Sequence, residues 1–216
     1  MRLRNKNWTK EYIEKNNSLM IKTENKVMVE NLFEKTQKTY LEIGCGKGQF
    51  IIKNAIKYEN QNYIAMEKET TVIGIAIKKA IETFKGHPKN LKFLNCYAEK
   101  LLDIFLENTF DGIYLNFSDP WPKKKHYKKR LTYICFLNIY EKLLKKDGLI
   151  EIKTDNDNLY EFSLEQIKDS NFELIFSTND LYKYEKNLVN NIATEYEEKF
   201  HSQNKTINKL VIKKIR

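Results

Sequence analysis

Residues 39–52 read Thr39-Tyr40-Leu41-Glu42-Ile43-Gly44-Cys45-Gly46-Lys47-Gly48-Gln49-Phe50-Ile51-Ile52, and this stretch decides the fold. An apolar run gives way to glycine at every second position. The pattern predicts a strand over 39–43, a tight turn, and a helix beginning near Gln49. Glycines where a strand hands over to a helix let the backbone approach a ligand closely, beside the free amides of the helix start. A nucleotide-like ligand is therefore expected at this turn, the bland alternative being a plain tight turn. Glu42 precedes the glycines and Glu67 closes the next expected strand, 62–66. A carboxylate at that second point can accept hydrogen bonds from both hydroxyls of a ribose. Gly48 follows Gly46 by two residues, whereas a nicotinamide-binding fingerprint spaces its last two glycines by three.

Outward from the turn, short apolar runs alternate with helical patterns. Ile73, Ile77, Ala80 and Phe84 share one helix face, and His87-Pro88 closes that helix. Strands are expected at 91–96 and 112–117, the latter almost wholly apolar, as suits a central strand buried on both faces. Tyr133, Leu137, Tyr140 and Leu144 mark a further helix, and Asp147-Gly148 a turn into a strand over 149–153. Tyr160, Leu164 and Ile167 suggest another helix, and 172–176 and 210–215 two late strands. The expectation is an α/β fold, a mostly parallel seven-stranded sheet with helices on both faces. Residues 178–204 are polar, lysine-rich and hard to assign, and loops of that length are often binding or lid segments.

A chain of 216 residues fits one domain. We expect a single domain over 1–216, with 1–37 as a basic N-terminal arm and lead-in helix and 38–216 as the core. Hydrophobic residues at 41% and aromatics at 12% argue against disorder. Lysine and arginine total 38 against 29 acids, a formal charge of +9, which favours a polyanionic partner if the excess is clustered. It is partly so. Positions 123–130 read Lys-Lys-Lys-His-Tyr-Lys-Lys-Arg, and Arg2, Arg4, Lys6 and Lys10 surround Trp8. Cys45, Cys96 and Cys135 form no Cys-x-x-Cys pair, and His87, His126 and His201 are scattered, so neither structural zinc, nor any other metal, nor a disulfide framework is expected. Cys96 reads as a core residue. No apolar run approaches the ~20 residues of a membrane span, and the start has no apolar segment of the secretory kind. A cytoplasmic protein is expected, with no membrane partner.

The fourth strand leads into Asn116-Phe117-Ser118-Asp119-Pro120-Trp121-Pro122-Lys123, at the strand end where doubly wound sheets hold ligands. Prolines on either side of Trp121 fix the backbone and hold Asp119 at the site. A guanine offers two adjacent donors, its N1–H and its exocyclic amine, which one carboxylate can accept together. Its N7 carries a lone pair and no proton, so alkylation there needs no general base; rate comes from in-line positioning and fixed charge. Asp119 can both recognise the base and offset the positive charge arriving on it, or Asp119-Pro120 can simply start a turn. Trp121 can stack on a base or pack the loop. His126 reads as a phosphate-side or packing residue rather than a base. The basic run suits phosphate contacts; a solvated face is its alternative.

The stretch Ser118-Asp119-Pro120-Trp121-Pro122-Lys123-Lys124-Lys125-His126-Tyr127-Lys128-Lys129-Arg130 resembles the signature of the tRNA guanine-N7 methyltransferase family. Lys153-Thr154-Asp155-Asn156 and Thr194-Glu195-Tyr196-Glu197-Glu198-Lys199-Phe200 extend the resemblance, and the glycine turn is similar to the cofactor loop of class I methyltransferases. The resemblance implies a Rossmann-like class I fold and S-adenosyl-L-methionine as cofactor. It implies Glu42, Gly44, Gly46, Gly48, Glu67, Tyr97, Ala98 and Asp119 at the cofactor, Asp119 also being catalytic. Lys123, Asp155, Thr194, Glu195, Tyr196 and Glu197 would surround the guanosine. Lys125, His126, Tyr127, Lys128, Lys129 and Arg130 would meet RNA. The implied substrate is the guanine of the tRNA variable loop, and the implied assembly is a monomer or homodimer. Tyr97 stands where the family usually has an acid or amide, with the Ala98 backbone as a partial substitute. Thr194 to Glu197 also fit a helix start with acids at its positive end. Two other functions remain open: a noncatalytic RNA-binding subunit that retains the fold, and an amino-group methyltransferase, whose loop usually carries adjacent prolines.

Overall fold

Residues 6–215 are described by a computed structural model, so Arg2 and Arg4 of the basic arm lie outside the described residues. The chain forms two compact units, Met1–Leu106 and Glu107–Arg216.

In the first unit the lead-in helix α1, Trp8–Lys15, packs on α3. The unit continues through β1 (Lys38–Ile43), α2 (Gln49–Lys57), β2 (Gln61–Met66), α3 (Thr70–Phe84), β3 (Leu91–Leu94) and α4 (Leu101–Ile104). Its strands run parallel in the order β3-β2-β1, with Ile43 beside Met66 and Met66 beside Leu94. Helical crossovers link them, the arrangement that parallel strands require. Leu41, Ile64, Ala65 and Phe93 are buried from both faces, as are Ile73, Ile77 and Ala80 of α3; Phe84 is half-buried. Gly74 admits α1: a Cβ there would come within 2.7 Å of the Thr9 Cβ. β3 ends short of the expected 91–96 because Asn95 turns aside. Its amide donates to the carbonyls of Glu67 (2.8 Å) and Lys68 (3.0 Å), and its oxygen accepts from the Thr70 hydroxyl (2.9 Å). Cys96 is consequently half-buried rather than core, with its thiol pushed up to about 12 by burial and the nearby Glu99 charge.

The second unit holds β4 (Phe110–Asn116), α5 (Ile134–Leu143), β5 (Leu144–Thr154), α6 (Asp157–Lys168), β6 (Phe172–Thr178), α7 (Glu195–His201) and β7 (Asn208–Lys214). Strands follow the order β4-β5-β7-β6, with β4 and β5 parallel and both pairs involving β7 antiparallel. The expected turn at Asp147-Gly148 is absorbed into β5 as a bulge. Partners jump from Phe110 with Leu144 to Gly112 with Leu149, and Asp147 takes φ 63°, the extra residues being accommodated by local twisting. The segment after β6 is ordered, with short 3-10 turns at Leu181–Lys183 and Glu185–Leu188 before α7. Among the described residues no helix is long and apolar enough to cross a membrane, and no cluster of three metal-ligating side chains occurs.

Candidate active site

In the first unit the glycine turn is organised by main-chain hydrogen bonds. The amides of Gly44 and Cys45 both donate to the Met66 carbonyl at 2.9 Å, and Gly48 donates to Cys45 at 2.9 Å. Gly46 donates instead to a side chain, Oε2 of Glu67, at 3.2 Å, and the other Glu67 oxygen accepts from the Glu69 amide at 3.1 Å. Glu67 is 9% exposed, so its carboxylate is aimed at the turn and keeps lone pairs for further donors. The glycines differ in purpose. A Cβ on Gly44 or Gly46 would meet nothing within 4 Å, whereas one on Gly48 would meet the Ala76 Cβ at 3.1 Å. Gly48 sits at φ 78° as the N-cap of α2, so it serves the packing of α2 on α3, while Gly44 and Gly46 border open space.

Two carboxylates, Glu42 and Glu67, flank the turn, whose Lys47 is exposed. Burial pushes the Cys45 thiol well up, and the carboxylates of Glu42 and Glu67 push it further. A cation-bearing ligand suits that field. Glu42 is buried. At the end of β3, Ala98 is buried and opens a 3-10 turn, Ala98–Lys100, whereas the Tyr97 side chain is 60% exposed.

In the second unit the chain leaves β4 through Phe117 at φ 50° and passes Trp121 at φ 43°, a backbone region costly for bulky side chains. Arg130 braces this strained loop. Its Nε donates to the Pro120 carbonyl at 2.9 Å and its Nη2 to the Trp121 carbonyl at 3.4 Å, while the guanidinium lies 4.4 Å over the Phe162 ring. Trp121 packs within the loop, edge-on to His126 at 5.6 Å and beneath the Lys129 ammonium at 4.9 Å. Asp119 is exposed, and among the described residues no hydrogen bond or ion pair engages its carboxylate.

Lys123 precedes the 3-10 turn Lys124–Lys129, and Lys123, Lys125, Lys128 and Lys129 are all exposed with no acidic partner among the described residues. His126 is half-buried, and Tyr127 packs edge-on against Tyr133 at 5.3 Å. The basic run therefore divides. Its lysines face solvent; Arg130, His126 and Tyr127 pack locally.

The remaining expected residues also divide. Asp155 pairs with Lys205 at 3.2 Å. Tyr196 is 57% exposed, its ring 6.2 Å from that of Phe117, and both rings lie 6.1 Å from Phe200. Glu195 is half-buried. Thr194 and Glu197 are buried and form a capping box: the Thr194 hydroxyl accepts from the Glu197 amide at 2.9 Å, and the Glu197 carboxylate accepts from the Thr194 amide at 3.4 Å. Glu197 also pairs with Lys153 at 2.8 Å, the two side chains being 0% and 2% exposed. Sequence reasoning missed Lys153 and the two residues bonded into the pair, Tyr182 and Asn191; the one available signal was a lysine beside Ile152 in the buried end of β5.

Residues 36–210 match a family model described as "Putative methyltransferase". A tRNA (guanine-N(7)-)-methyltransferase of Mesoplasma florum is 54% identical, with 99% of each chain covered. That of Mycoplasma capricolum is 51% identical over the whole of both chains, and that of Pediococcus pentosaceus is 42% identical over 97% of this chain and 98% of that protein. Among solved structures, the 16S rRNA methyltransferase KamB superposes with a TM-score of 0.63 at 15% identity, covering 86% of this chain and 91% of that one. Phosphoethanolamine N-methyltransferase 2 of Haemonchus contortus, in complex with S-adenosyl-L-methionine, superposes with 0.55 at 12% identity, covering 88% and 51%. These two likenesses speak to the fold, which is the Rossmann-like methyltransferase fold.

Proposed function

The chain belongs to the tRNA (guanine-N7-)-methyltransferase family, and from that premise we propose which guanine it modifies and how its residues serve the reaction. It is an S-adenosylmethionine-dependent enzyme that methylates N7 of a guanine in tRNA. The target in this proposal is the guanine of the variable loop. The observation that carries the guanine reading is the loop of Asp119, a free carboxylate on a strained backbone that Arg130 braces, next to lysines that have no acidic partner among the described residues.

The glycine turn suits the cofactor: the space beside Gly44 and Gly46 is open, two carboxylates flank the turn, and one of them touches a turn amide. Glu67 would hold the ribose hydroxyls, Glu42 would face the cationic amino-acid end, and the Ala98 backbone would border the adenine with Tyr97 beside it. The bound cofactor supplies a methyl group activated on sulfonium. Asp119 accepts the guanine N1–H and amine together, which aims N7 and sets a negative charge where positive charge accumulates. No group on the chain has to remove a proton first, because N7 carries none. Lys125, Lys128 and Lys129 hold phosphates, Lys123 borders the guanosine, and Arg130 acts from within as the brace. Asp155 and Tyr196 border the guanosine, with Glu195 beside them.

A single domain fits the family match, which runs unbroken through both units, residues 1–37 being its arm and lead-in and 38–216 its catalytic core. We assign the enzyme to the cytoplasm, acting as a monomer or homodimer. The test is incubation with unmodified tRNA transcripts and labelled cofactor, followed by mapping of the methylated nucleoside by mass spectrometry. The expected product is 7-methylguanosine in the variable loop. Methylation of an exocyclic amine would make it an amino-group enzyme, and tRNA binding without transfer would make it a noncatalytic subunit.

A further inference from the structure

A lysine and a glutamate sealed from water, at 2% and 0% exposure, join the end of β5 to α7. Every hydrogen the Lys153 ammonium can offer has an acceptor: Glu197 Oε2 at 2.8 Å, Asn191 Oδ1 at 2.6 Å and the Ile192 carbonyl at 3.0 Å. The other Glu197 oxygen accepts from the Asn191 amide at 2.7 Å and the Tyr182 hydroxyl at 3.0 Å. Burying two charges is costly, and an apolar pair of equal size is often as stable. What a fully satisfied polar network adds is direction: each bond fixes one donor against one acceptor.

The same residue works through its main chain. The Lys153 carbonyl accepts from the Phe117 amide at 2.8 Å, where the chain turns at φ 50° toward Asp119. Phe117 in turn packs its ring against Tyr196 and Phe200 of α7 at 6.2 and 6.1 Å. Lys153 therefore touches both ends of one arrangement, α7 by its ammonium and the entry to the Asp119 loop by its carbonyl.

We propose that Lys153, with Glu197 as its partner, is a positioning residue that locks α7 and the Asp119 loop in the one register that presents guanine for methylation. Glu197 then acts without touching the guanosine. This rests on the guanine-N7 reading above. It changes the role that resemblance implied for Glu197, whose carboxylate is saturated by protein donors and shut off from solvent.

The test is the double variant Lys153→Met with Glu197→Gln, which removes both charges and nearly preserves shape. Cofactor affinity should match the wild type and tRNA affinity should change by less than about threefold. Single-turnover methyl transfer at saturating tRNA should fall by about tenfold to a hundredfold, the scale of a small misplacement of reacting groups. A folded double variant transferring methyl at the wild-type rate overturns the proposal, as does one whose whole defect is recovered by raising tRNA concentration. Should the double variant fail to fold, Tyr182→Phe decides, since it deletes one hydroxyl at the edge of the network and leaves the ring to stack on His201 at 3.7 Å. A slower single-turnover rate at unchanged tRNA and cofactor affinities supports the lock, and a wild-type rate overturns it. The wild-type control separates this from the functional reading: if the unmodified enzyme makes no 7-methylguanosine, that reading fails whatever the variants do.

Discussion

The two units build their candidate sites from different materials. In Met1–Leu106 the glycine turn is mostly main chain: Gly44 and Cys45 share the Met66 carbonyl at 2.9 Å, and one side chain, Glu67, completes the turn through the Gly46 amide. In Glu107–Arg216 the geometry rests on side chains reaching across the chain, with Arg130 on the carbonyls of Pro120 and Trp121 and Lys153 on Glu197, 44 residues away. A main-chain turn presents amides that no substitution but proline deletes, and it suits a ligand of constant shape. A side-chain brace can hold strained φ values, at Phe117 and Trp121, that the local sequence would not adopt alone. That suits the role proposed for the loop, presenting one carboxylate to a base. The difference also means that the two halves should fail differently.

The largest effect tests the second half. Asp119→Asn keeps shape, removes charge and leaves an amide that can no longer accept both guanine donors. Single-turnover transfer at saturating tRNA and cofactor should fall by about 2.7 to 4 kcal/mol in transition-state stabilisation, more than tRNA binding falls. A wild-type rate would return the loop to a purely structural role and dissolve the contrast.

A smaller effect tests the first half. Glu67→Ala should weaken S-adenosylmethionine binding by about 1 to 3 kcal/mol, because it removes the proposed ribose acceptor and also frees the Gly46 and Glu69 amides it holds. Calorimetry gives the number, and tRNA affinity should hold. Unchanged cofactor affinity would mean the turn is complete without its one side chain.

The finest effect divides the basic run itself. Neutralising Lys125, Lys128 and Lys129 together should weaken tRNA binding and lower the log–log salt slope by about one unit for each phosphate left without its lysine. Cofactor affinity should not move. An unchanged slope would remove these lysines from the phosphate-binding surface and leave them a solvated face.

Much of the first half was legible in the sequence because its causes are local. Glycines at every second position need neighbours only a few residues away to mean a turn, and Glu67 is placed by the end of its own strand. Even so, sequence could not distinguish Gly48, which the Ala76 Cβ crowds at 3.1 Å, from Gly44 and Gly46, which border open space. Nor could it see that Asn95 would turn aside for the carbonyls of Glu67 and Lys68 and so shorten β3 and leave Cys96 half-buried.

By itself the sequence determined the alternation of strands and helices, the charged glycine turn, the rigid loop carrying Asp119 and the cluster of basic residues beside it. Each follows from periodicity, ring-fixed φ or adjacency within a short window. Only the tertiary structure decided which of those charges face water. Arg130 turns inward while its lysine neighbours do not, the turn at Asp147 becomes a bulge, and Glu197 disappears beneath Lys153, Tyr182 and Asn191. The physical reason is that a charge's environment is set by groups distant in sequence. Lys153 and Glu197 stay buried because their donors and acceptors find partners, and those partners come together only when β5, α7 and the segment before α7 have packed.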